Sequence, residues 1–213
     1  MRFNSLNRSF LQLSLCLIIG IGMFSCEKLG LTAPKMDTPE AIVRVQDAYK
    51  ENVDTTKYKP IEIRWYELDA LSNDLIYLNI QSLNKEDNKI YSQSLKIGGD
   101  SQNAGEMELS KFGNRNTYDF DNENWIHLSD INSEVIMKQI ENAKSLIPEE
   151  YAFESVGNYV ISRDTKTKEL KNTFDFRVTQ KGESKEMRGR QIITNYYEFS
   201  FTGFLDGTVE MHE

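Results

Sequence analysis

The chain has 213 residues, 39% of them hydrophobic and 27% charged, with a formal net charge of −8 at pH 7. Such acidity repels phosphate backbones and anionic head groups, which argues against a nucleic-acid partner and against a charge-driven hold on a membrane. Both cysteines, Cys16 and Cys26, lie within the first 26 residues and the two histidines are not at helical spacing, which argues against a zinc site and against a disulfide framework.

At the N-terminus Arg2 and Arg8 supply a weakly positive start. Phe10 to Phe24 is then apolar except for Gln12 and Ser14, the pattern of a secretory signal. Glu27 and Lys28 bring charge in after about fifteen apolar residues, short of the roughly 20 that a spanning helix needs. Met23-Phe24-Ser25-Cys26 resembles the lipobox of bacterial lipoproteins, with Ser25 as the small residue before the cut, Met23 as the apolar one, and Phe24 bulkier than the usual alanine or serine. The resemblance covers the first 26 residues only. It implies a signal peptide over 1–25, cleavage before Cys26, and thioether-linked diacylglycerol on the Cys26 sulfur. It also implies a place in the cell envelope, in the periplasm or at the outer membrane, lipid-anchored to a membrane, the outer one by preference and the leaflet left open, with palmitate among the acyl chains. Two or three buried chains, at about 0.8 kcal/mol per methylene, make such an anchor nearly permanent. The competing reading is an ordinary secretory signal in which Cys26 is incidental. Residues 1–25 hold Arg2 and Arg8 and no acid, so their removal takes the net charge from −8 to −10. Cys16 leaves with the signal and Cys26 is acylated, so stability has to come from the core alone; about 188 residues can bury roughly 70% of their unfolded surface.

Residues 26–37, with Gly30 and Pro34 and no periodicity, read as the acylated cysteine and a flexible tether. A first unit follows over 38–97. Thr38 is placed to cap a helix, Pro39 suits its first position, and Ile42, Val45, Tyr49 and Val53 fall on one face. Ile61 to Trp65 and Ile76 to Gln81 alternate apolar and polar residues as half-buried strands do, and a third strand covers Lys89 to Ile97. Ser72-Asn73-Asp74 and Asn84 to Asn88 are polar reversals between them. Residues 98–129, starting with Gly98-Gly99, read as a linker and an acidic loop.

The second unit spans 130–213. A helix is predicted over Ile131 to Ile147, with Ser129, Asp130 or Asn132 as its cap, Ile136, Ile140, Ala143 and Ile147 on one face, and Pro148 as its stop. Alternating segments at Tyr159 to Ile161, Phe174 to Val178 and Tyr197 to Phe201 predict further strands, and Asp206-Gly207 a last tight turn. The fold class is therefore α+β, an amphipathic helix followed by an antiparallel β-meander. Its repeated element order is one that two copies of a single unit would give, although letter-level similarity between the halves is poor. The unit is similar to PepSY-type and cystatin-like domains, a likeness of fold and not of activity.

Asp119 to Asp130 sets oxygen ligands at alternate positions and resembles an EF-hand calcium loop. The resemblance implies calcium on Asp119, Asp121, Glu123 and Asp130, with the Trp125 carbonyl as a further ligand. Against it, Asn124 replaces the turn glycine, Glu123 is long and Asp130 is short for their places. A solvated acidic loop whose Asp130 caps the next helix reads the same residues. Catalysis is poorly supplied, since His127 and His212 are far apart in sequence and no Gly-x-Ser-x-Gly elbow or phosphate loop exists. Arg163, Lys166, Lys168 and Lys171 cluster at one predicted turn, and Lys181, Lys185, Arg188 and Arg190 at the next. Acids are interleaved, so these clusters read as protection of exposed turns, with a basic edge for an anionic partner as the alternative. Trp65, Tyr66, Tyr77 and Tyr91 read as core aromatics, with a stacking surface for sugar or peptide as the alternative.

The expectation is a lipid-anchored envelope protein, not an enzyme, whose domain binds or supports an unidentified protein or glycan and needs no cofactor. A calcium-dependent module built on 119–130 stands second. A hydrolase using His127 stands third.

Overall fold

A computed structural model describes residues 32–99, 103–111, 119–121, 125–163, 167, 169–182, 186–188 and 191–212. Helix α1 (Pro39–Asn52) opens on Pro39, whose ring fixes a helical φ and whose missing N–H would have had no intrahelical partner. Thr38 stands at the cap position in extended backbone, yet its hydroxyl donates to the Lys35 carbonyl at 2.7 Å instead of capping the helix. Glu40 in the first turn and Lys50 in the last complement the helix dipole. Ala41, Ile42, Val45, Ala48 and Tyr49 form the buried stripe, with Val53 packed beside it. Helix α2 (Ser133–Lys144) is shorter than its periodicity suggests. Asn132 is its cap, accepting from the Val135 amide at 3.1 Å, so Ile131 lies outside the helix, buried at the end of a one-turn 3-10 segment, Leu128–Asp130. Ile136, Ile140 and Ala143 face inward; Ile147 packs on the core from beyond the helix end.

The strands are β1 (Tyr58–Tyr66), β2 (Tyr77–Asn84), β3 (Ile90–Lys96), β4 (Asn103–Ala104), β5 (Glu108–Leu109), β6 (Tyr151–Arg163), β7 (Leu170–Gln180), β8 (Glu186–Arg188), β9 (Gln191–Ile193), β10 (Tyr197–Gly203) and β11 (Val209–Met211). Nine of them form one antiparallel sheet in the order β11-β10-β7-β6-β1-β2-β3-β4, with β5 also on β3; β8 and β9 pair separately. The segment read as a linker thus supplies the two short strands that cover the outer edge of β3. Each helix precedes its own meander, and the two meanders join through β1 and β6, with Ile63 opposite Ile161 and Trp65 opposite Tyr159. The result is one α+β sheet and one core shared by both helices.

Period-two alternation sends one side chain of each pair into that core. Trp65, Tyr159, Phe174 and Phe201 are cross-strand neighbours on β1, β6, β7 and β10, and their rings stack in succession at centroid separations of 4.6, 5.1 and 5.3 Å. All four are buried. Each such pair contributes about 0.5–1.5 kcal/mol beyond the area it buries, so the rings hold the joined meanders together across the β1–β6 seam. Gln139 of α2, itself buried, accepts from the Tyr159 hydroxyl and from Asn172 Nδ2 and donates to the Phe204 carbonyl at 2.7 Å. That amide ties the helix to the sheet's last hairpin.

Candidate functional site

The alternate residues of the same strands point away from the core, and the strand register lines them up in rows. One row runs Ser94, Asn79, Arg64, Val160, Thr173 and Thr202. The next runs Lys96, Tyr77, Tyr66, Asn158, Asp175 and Ser200. Gln81, Glu62 and Ser162 continue the pattern on a third. Nearly every member is a hydroxyl, an amide or a charge. Asn79 Nδ2 donates to Ser94 at 2.9 Å and Ser92 at 3.2 Å, Gln81 Nε2 and Arg64 Nη2 both donate to Glu62 Oε1 at 3.3 Å, and Ser200 donates to Asp175 at 2.6 Å. Asn158 Nδ2 also donates to Asp175. Tyr66 and Tyr77 stack at 5.4 Å and 26°. Burial first, then the Tyr77 beside it, raises the Tyr66 hydroxyl above its ordinary pKa despite Arg64.

The rows sink into a cleft of about 410 Å³ lined by Glu62, Arg64, Tyr66, Glu67, Asn79, Gln81, Gly157, Asn158 and Arg177. Its floor is Glu67, whose side chain is wholly excluded from solvent. Glu67 Oε1 accepts from Arg177 Nη1 at 2.6 Å and from Ser155 Oγ at 2.8 Å, and Oε2 accepts from the Asn73 amide at 2.6 Å. Buried charge is tolerated where it is paired and its lone pairs are filled, and here both conditions hold. Arg177 reaches the floor by crossing Gly157, which sits at an irregularity in the β6–β7 pairing; a Cβ there would lie 3.1 Å from Arg177 Nε. Burial works against the Arg177 charge, but the hydrogen bond to Glu198 and the field of Glu67 outweigh it and raise its pKa.

The loop after β1 sets Glu67 in place. Leu71 and Asn73 take φ of 68° and 57°, and Asn is among the residues that accept this left-handed conformation at low cost. Asn73 Nδ2 then donates to Asp37 at 2.6 Å and its Oδ1 accepts from the Val156 amide at 3.0 Å. Asp37 in turn accepts from Lys144 of α2 at 2.9 Å. A polar chain therefore connects the segment before α1 to the cleft floor. Burial lowers and the bonds to Asp37 and Glu141 raise the Lys144 pKa, with a net increase.

Asp37, Asn73 and Glu67 were not singled out from sequence. The turn at Ser72-Asn73-Asp74 was legible, but no periodicity marks Glu67, the residue after a strand, as buried. The residues that were singled out scatter. Asp119 accepts from the Asp121 amide at 3.1 Å in a local turn, and Glu123 lies outside the described residues. Asp130 Oδ2 accepts from Arg163 Nη2 and from the His127 amide, each at 2.9 Å, closing the 3-10 turn; the cap of α2 is Asn132 instead. Among the described residues no three His, Cys, Asp or Glu gather as a metal site. The His127 ring lies 4.0 Å from that of Trp125, whereas His212 Nε2 is 2.7 Å from Thr202 Oγ1.

Of the basic clusters, Lys171 is the second residue of β7 and Lys181 follows its last, with the length of an eleven-residue strand between them, so they belong to no common edge. Lys181 donates to the Glu149 carbonyl at 2.8 Å, and Lys166, Lys168, Lys185 and Arg190 lie outside the described residues. The aromatics divide by face. Trp65 is core, while Tyr66 and Tyr77 stand half-buried on the polar rows and Tyr91 meets Tyr58 edge-on at 6.1 Å. Cys26 lies outside the described residues.

No family model and no curated protein matches the chain. The likeness to PepSY-type and cystatin-like units therefore rests on element order alone. Among solved structures it is similar to a "putative lipoprotein" of Clostridium difficile 630, at 12% identity over 88% of this chain and 98% of that one, with a TM-score of 0.39. A similarity that distant carries neither fold nor function across. Among the described residues no helix is long and apolar enough to cross a membrane.

Proposed function

We propose that the protein is held in the cell envelope by lipid on Cys26, at the outer membrane, and acts there by binding a protein or glycan rather than by chemistry. The address is supported by the apolar run ending in Met23-Phe24-Ser25-Cys26. The binding role is carried by the cleft over Glu67, where amides, hydroxyls, tyrosines and internally paired charges converge on one concave surface. Its carboxylates are already satisfied by arginine and amide donors, an arrangement suited to holding a shape and ill suited to accepting a substrate proton.

Photo-crosslinking of the full acylated chain in its own envelope tests this. A diazirine side chain at position 94, exposed beside Asn79 in the row that leads from the cleft, is expected to give covalent adducts. The same side chain at position 43, exposed on α1, is expected to give none. Adducts from position 43 alone would refute the assignment of the binding face.

A further inference from the structure

We infer that the cleft takes an uncharged oligosaccharide. This rests on the binding role proposed for that face and narrows its ligand. The first consideration is charge. Glu62 is paired with Arg64, and Glu67 and Glu198 share Arg177, with Arg177 Nε 3.2 Å from Glu198. An anion drawn to Arg177 would strand Glu67, which solvent does not reach, at a cost of several kcal/mol, and three carboxylates against two guanidiniums on this face repel an anion from the more exposed Arg64. The second is the set of groups left over. Among the described residues Arg64 Nε and Nη1, Gln81 Oε1 and the hydroxyls of Tyr66 and Tyr77 make no hydrogen bond, and Arg64, Gln81 and Tyr66 line the cleft.

An apolar ligand would bury those donors and acceptors unpaired, at about 1–3 kcal/mol each. Sugar hydroxyls both donate and accept, and the C–H face of a pyranose packs on an aromatic ring such as Tyr66. A peptide is the weaker match. Extended peptides gain their affinity from main-chain bonds at a free sheet edge, whereas the cleft lies on a sheet face and the neighbouring edge of β3 is occupied by β4 and β5. At about 410 Å³ the cleft is within the roughly 300–1,000 Å³ of small-molecule sites. The rows that leave the cleft on either side, Asn79 to Ser94 and Asn158 through Asp175 to Ser200, let a linear chain continue across the strands.

The test is a titration of the full acylated protein in detergent micelles with cellotetraose, maltotetraose and tetra-N-acetylchitotetraose, and with neutral glycans released from its own envelope. The readouts are tyrosine fluorescence and calorimetry. Saturable binding by one of these is expected, weakened about tenfold or more by Gln81→Ala and by Tyr66→Leu, each the loss of one contact in a desolvated site. Thermal melts of both variants check that they fold; if Tyr66→Leu does not, Gln81→Ala decides. Binding by none of the glycans, or binding that neither folded variant weakens, overturns the inference. The broader reading fails separately. Protein adducts alone at position 94 would leave the binding face standing and remove the sugar, and no adducts there would remove both.

Discussion

Arg177 Nη1 lies 2.6 Å from a Glu67 carboxylate that solvent does not reach. Removing one member of a buried pair leaves the other charged and uncompensated, a loss of about 3–5 kcal/mol. Ser155 and the Asn73 amide still hold Glu67 when Arg177 is gone, so Arg177→Met is expected near the lower end, about 3 kcal/mol by urea denaturation. The double variant Glu67→Gln/Arg177→Met should lose less than the sum of the two single changes. Additive losses would show that the pair does not act as a unit.

Gly157 gives Arg177 its path. A methyl group there would stand 3.1 Å from Nε and 3.4 Å from Cζ of the guanidinium. Gly157→Ala is expected to cost about 1 kcal/mol by overpacking and almost nothing in an Arg177→Met background. Equal cost in both backgrounds would place the strain elsewhere.

Alkaline pH reports on the packing of α1. The Tyr49 hydroxyl donates to the Ile126 carbonyl at 2.9 Å, and burial first, then the Asp130 carboxylate, pushes its pKa from 10.0 up to about 12. The folded-state pKa is raised, so the associated stability is intact below pH 10 and is lost as pH climbs through about 12. Tyr49→Phe is expected to be less stable at neutral pH and to show a shallower fall between pH 10 and 12, read from urea midpoints. Parallel curves for the two proteins would contradict the buried hydroxyl.

Period-two alternation made β1, β2, β7 and β10 legible, because each strand has one face in the core and one in water. The same alternation sends the adjacent Trp65 and Tyr66 to opposite faces, so the reading of both as core aromatics holds for Trp65 and fails for Tyr66. Helix limits were less legible. The periodic apolar set runs from Ile131 to Ile147, but Asn132 takes the cap and Ser145 ends the last turn, so Ile131 is buried, and Ile147 packs half-buried on the core, from outside the helix. The cleft was the least legible feature. Its floor joins Asp37, Asn73, Glu67 and Arg177, residues up to 140 positions apart whose meeting depends on the β1–β6 seam and on a left-handed Asn73, and neither is written in local pattern. Asp130 shows the converse: an alternating acidic motif was plain in sequence, and its last carboxylate is held by Arg163, a residue 33 positions away.

The proposed binding surface owes its place in the envelope to lipid on Cys26. Mass spectrometry of the protein extracted from membranes with detergent measures that directly. The expected N-terminal peptide begins at Cys26 and carries diacylglycerol on its sulfur. An unmodified thiol at Cys26, or a chain cut at another bond and found in the medium, would contradict it.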